Sequence, residues 1–98
     1  MNVIRKVIRA DGREESLDGP VSMTDIHRLI GADGCDTVTL ADRIHVMVID
    51  DLGAYSHLPL NDKATALYHA VCRPGTGWPI FGDVVIVPDS DYGGDADQ

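Results

Sequence analysis

Arg43-Ile44-His45-Val46-Met47-Val48-Ile49 is the stretch on which the fold turns. In an extended chain, Ile44, Val46 and Val48 fall on one side, and His45, Met47 and Ile49 on the other. Neither side is polar, so the stretch reads as a central strand covered on both faces. Asp50-Asp51-Leu52-Gly53 ends it in a turn. Val84-Val85-Ile86-Val87 reads the same way, because a run of β-branched residues belongs in the middle of a sheet.

Working outward, Val3 to Arg9 reads as a strand, and Asp11-Gly12 as a hairpin turn that returns Arg13 to Leu17 beside it. Ser22 and Asp25 form a variant of the capping box. Met23, Ile26, Leu29 and Ile30 follow at helical spacing, and Gly31 supplies the stop. Thr37 to Leu40 is a strand, with a tight turn at Ala41-Asp42 before the central strand. Tyr55 to Leu60 is irregular or a short edge strand, since Pro59 cannot donate to a ladder. Asn61 is an N-cap for a second helix whose apolar face carries Ala64, Leu67, Tyr68 and Val71. Pro74-Gly75 stops that helix. The expectation is an α+β domain over residues 1–88: a mainly antiparallel sheet of about five strands with two short helices packed on it. Residues 89–98, with Asp89, Asp91, Asp95 and Asp97, are expected to be an acidic disordered tail.

Sixteen acidic residues against eight basic ones give a net charge of −8, in a chain of 98 residues that is 44% hydrophobic. That balance disfavours DNA and RNA binding, which need a basic face. An acidic surface suits a basic partner, a DNA-mimic role, or solubility alone. No apolar run approaches the ~20 residues of a membrane span. The first nine residues lack the apolar core of a signal peptide, so the expected location is the cytoplasm.

Cys35 and Cys72 lie in no CxxC pair and read as reduced, unactivated thiols. His27, His45, His57 and His69 lack the close pairing of zinc ligands, so no metal and no cofactor is expected. Asp50 and Asp51 are neighbours that point to opposite faces, and so read as turn residues rather than a catalytic carboxylate pair. Gly75-Thr76-Gly77-Trp78 follows a helix and lacks a Walker lysine, which excludes a phosphate loop.

The second half resembles a known family. The features that carry the likeness are Asp51 to Gly53 after a hydrophobic strand, Leu58-Pro59-Leu60-Asn61 before a helix, and Ile80-Phe81-Gly82 leading into the last strand. Over roughly residues 14–89 this order is similar to the small family catalogued as domain of unknown function 3846, whose members occur mostly in phages, plasmids and other mobile elements. The loop from Arg73 to Pro79 departs from that pattern in being longer and richer in Pro and Gly. The resemblance implies a mobile-element setting and no particular activity.

The candidate ligand- or partner-binding residues are Trp78, Arg73, Phe81, His57 and Asn61; no residue is assigned a catalytic role. An aromatic ring beside a guanidinium can stack a base or grip a partner. Equally, Trp78 can fold back and cover one end of the sheet. The expected function is a small non-enzymatic binding protein that occupies a host protein or sequesters a nucleotide-like ligand. A small hydrolase using His57 and an aspartate, and a subunit of a homo-oligomer, are the alternatives.

Overall fold

The computed structural model describes residues 3–32, 34–52, 57–72 and 77–93. The elements run β1 (Lys6–Ile8), β2 (Glu14–Ser16), α1 (Met23–Ile30), β3 (Cys35–Thr39), β4 (His45–Asp50), α2 (Asp62–His69), β5 (Val84–Pro88) and α3 (Asp89–Gly93). The strands form one five-stranded sheet in the order β2-β1-β5-β4-β3, with every neighbouring pair antiparallel. The expected α+β class is therefore the observed one.

Alternation along the central strands builds two cores. Val46, Val48, Val85 and Val87 meet Ile26 and Ile30 of α1 on one face. Met47, Val84 and Ile86 meet Ala64 on the other, with Leu67 and Tyr68 of α2 packed against them. The helices thus cover opposite faces of the sheet. This is why β4 and β5 needed apolar side chains on both sides.

The caps anticipated from sequence are in place. The Ser22 hydroxyl accepts the Asp25 N–H, the Asp25 side chain returns to Ser22, and Gly31 closes α1 at φ 68°. The first hairpin differs in detail. Arg9 N–H donates to the Arg13 carbonyl at 2.8 Å, and only Gly12 is left-handed, at φ 96°. The loop is therefore three residues with glycine at the αL position, not the two-residue turn that Asp-Gly suggests. The second hairpin also turns later than expected. Arg43 takes φ 58°, and the Asp42 carboxylate holds the turn by accepting the N–H groups of Ile44 and His45.

His45 anchors the chain as it enters β1: the Ile4 N–H donates to Nε2 of His45 at 2.8 Å. Because Nε2 accepts, Nδ1 carries the proton and donates to Asp42 Oδ2 at 2.6 Å. The ring is 3% exposed and fully engaged.

Two expectations are corrected past the last strand and helix. Residues 89–93 are not a free tail: the chain enters α3, and Arg5 donates to both carboxylate oxygens of Asp91, at 2.6 and 3.1 Å. The domain extends at least to Gly93, and residues 94–98 lie outside the described residues. Val71 is not part of the helical apolar face; it follows the end of α2 and is 38% exposed.

Beside α2, Glu14 accepts from Lys6 at 2.7 Å and from Lys63 at 2.8 Å. Those two hydrogen bonds, from Lys6 first, lower the Glu14 carboxyl from 4.5 to about 2. A depressed acid stabilises the fold above its unfolded value, and that contribution disappears as pH falls through the folded value. Acid unfolding between pH 4.5 and about 2 is therefore expected to be less steep in Glu14→Gln than in the parent chain. Superimposable acid titrations, followed by circular dichroism, would remove Glu14 from the account.

Candidate functional site

The segment that carries Trp78 is fixed from its C-terminal side. Leu60 bridges to Phe81, and the Asn61 N–H donates to the Ile80 carbonyl at 2.8 Å. Ile80 N–H donates in turn to the Thr65 hydroxyl of α2 at 2.9 Å. Gly82, at φ 83°, donates to the Pro59 carbonyl at 2.7 Å. A Cβ at Gly82 would sit 2.7 Å from Leu58 Cδ1, a side-chain tip that can move aside, so it is the φ of 83° that favours glycine there.

Asn61 holds this arrangement together. It is 0% exposed. Its Oδ1 accepts the Ala64 N–H at 3.0 Å, and its Nδ2 donates to the carbonyls of Ile8 and Gly82 at 3.1 and 2.9 Å. Asn61 thereby ties α2 to β1 and to the entry of β5. The assignment of Asn61 to ligand or partner contact is corrected on this ground, since its amide is both buried and already engaged.

Trp78 and Phe81 do come together, on the wall of a cleft of about 500 Å³. Val38 and Ile49 from the sheet and Ile80 supply apolar surface, and Tyr68, Val71 and Cys72 form the side given by α2 and its exit. Asp36, Asp50 and Asp51 also line the cleft. Trp78 is 72% exposed, so it does not act as a lid over the sheet. Asp50 has a second use, since its carboxylate accepts the Leu52 N–H at 2.9 Å in the turn after β4.

A hydrogen bond with Cys72 pushes the Tyr68 phenol up, followed by burial, the Cys72 thiol and the charge of Asp36. Burial, then Asp50 and Asp51, push the Cys35 thiol up as well. Neither group is activated as a nucleophile at neutral pH. His57 is exposed in the loop before α2 at φ 56°, and it does not line the cleft. Among the described residues it makes no hydrogen bond to Asp51. No group of three or more metal-ligating side chains gathers among the described residues. Arg73 lies outside the described residues.

A second depression, of about 360 Å³, is lined by Lys6, Ile8, Glu14, Lys63, Ala66 and Leu67. Glu14 sits between the two lysines and offsets one of their two charges. The Trp78 cleft differs in having three carboxylates and no cation among its described lining residues.

Sequence reasoning found the aromatic pair but missed the acids. Asp36 faces the cleft because it shares a face with Val38, two residues on, which packs on the α2-side core. Asp50 and Asp51 border the cleft from the end of β4 and the turn after it; strand alternation does not put Asp50 there, since it stands opposite Cys35, which packs on the α1 side. No family model, no curated protein and no solved structure matches the chain. No helix among the described residues is long and apolar enough to cross a membrane.

Proposed function

We propose that this chain is a non-enzymatic binding protein whose Trp78 cleft receives a cationic group from a basic partner. The observation that carries this reading is one cleft that combines a ring 72% exposed with Asp36, Asp50 and Asp51. An indole face attracts a cation by about 0.5–2 kcal/mol, more as the pair is desolvated. Carboxylates nearby add to that attraction, and the net charge of −8 steers basic partners toward the molecule. The mobile-element setting implied by the resemblance suits a protein that occupies a basic site on a host protein. The same charges oppose the alternative of a nucleotide-like ligand, whose phosphates would face three carboxylates without a described basic residue in the cleft.

Trp78 is the sole tryptophan, so its emission reports on this cleft alone. Arginine amide and spermidine are expected to alter Trp78 fluorescence saturably. The effect should weaken between low salt and 0.5 M salt, where screening lengths fall to about 4–5 Å. ATP is expected to have no effect. A saturable response to ATP, with both cations silent, would reverse the proposal.

A further inference from the structure

We propose that the partner enters as an extended basic peptide that adds antiparallel to the free edge of β3 and lays its cationic side chains into the Trp78 cleft. This rests on the cleft reading above and names its ligand. β3 ends the strand order, and among the described residues nothing pairs with its outer side.

Register parity says which backbone groups are free. On the inner side, Leu40 N–H donates to His45 O at 2.9 Å, and Asp51 N–H donates to Gly34 O at 3.3 Å. Residues of even number in β3 therefore bond to β4, and Cys35, Thr37 and Thr39 direct their N–H and C=O groups outward. The Thr37 N–H is capped in the free protein by its neighbour, Asp36 Oδ1, at 2.8 Å. Strand addition exchanges that cap for a peptide carbonyl and releases the Asp36 carboxylate to pair with an arriving cation. The opposite edge is a poorer template. β2 has three residues, all exposed, and the Glu14 side chain is tied to two lysines.

The same parity sets the peptide pattern. Residues directly opposite Asp36 and Val38 face the α2 side and the cleft, because directly opposed residues of an antiparallel pair share a face. Residues opposite Cys35, Thr37 and Thr39 face the α1 side and donate the hydrogen bonds to β3. Basic residues at every second position therefore place their charges on the cleft side, beside Asp36. Main-chain bonds supply affinity and alternate side chains supply selectivity, as in other strand additions.

The probe is a blocked octapeptide alternating Arg and Thr, compared with two N-methylated versions. Methylation of the Thr nitrogens removes the donors that face β3 and is expected to weaken binding roughly tenfold or more. Methylation of the Arg nitrogens lies on the outer edge and is expected to change binding by less than about threefold. The unmodified peptide should also slow amide exchange at Cys35, Thr37 and Thr39. Equal binding by both methylated peptides, with Trp78 still responding, overturns strand addition and leaves the cleft reading standing. A penalty on the Arg-methylated peptide instead overturns the antiparallel arrangement. Silence of Trp78 toward the peptide and toward arginine amide overturns both readings.

Discussion

Replacing Asn61 with Ala is expected to destabilise the fold by about 3 kcal/mol, enough to lower the melting temperature by roughly 12–20 °C in a domain of this size. The side chain makes three hydrogen bonds while 0% exposed. Loss of the N-cap alone costs about 1 kcal/mol. The remainder comes from the carbonyls of Ile8 and Gly82, which each lose a donor in a place water does not reach. Asn61→Asp separates the two parts. The aspartate keeps an acceptor for Ala64 N–H, but its carboxylate faces two carbonyl oxygens, so it should be at least as destabilising as alanine. Urea denaturation of the three chains decides the matter. A loss under about 1 kcal/mol in Asn61→Ala would mean that the junction of α2, β1 and β5 is held by something other than this amide.

Asn61 also illustrates how far the sequence reaches. Its capping role was legible, because Asn followed by Asp at a helix start is a local signal. Its second role was not, since Ile8 lies 53 residues away and only the packed sheet brings the two together. The same division holds elsewhere. β4 and β5 were legible because apolar residues on both faces leave few other fates for a short segment. The opposite placement of α1 and α2 was not, because an amphipathic helix says that it covers a sheet but not which face. α3 was hidden by composition. Asp91 reads as tail charge until Arg5, at the far end of the chain, supplies its counter-ion. The acidic lining of the cleft needed the pairing of β3 with β4, which is a property of the sheet rather than of any motif.

Trp78→Ala is expected to abolish most of the response to a basic ligand while leaving stability within about 0.5 kcal/mol of the parent. The two halves of this expectation have separate causes. Stability is insensitive because the ring is 72% exposed, and the core on that side is built from Met47, Ala64, Val84 and Ile86. A ring that closed the core would instead cost about 3–5 kcal/mol on truncation. Binding is sensitive because the indole is the best cation acceptor among the aromatic side chains, and truncation of such an anchor costs more than about 1 kcal/mol, or upward of fivefold in Kd. Trp78→Phe should fall between, since it keeps a smaller ring face in the same place. Because the variants lack the fluorophore, affinity is read by calorimetry with the Arg/Thr octapeptide, and stability by urea denaturation followed by circular dichroism. An alanine variant that is fully stable and binds the peptide as the parent does would remove Trp78 from the site. Recognition would then be left to the carboxylates of Asp36, Asp50 and Asp51 and to the edge of β3.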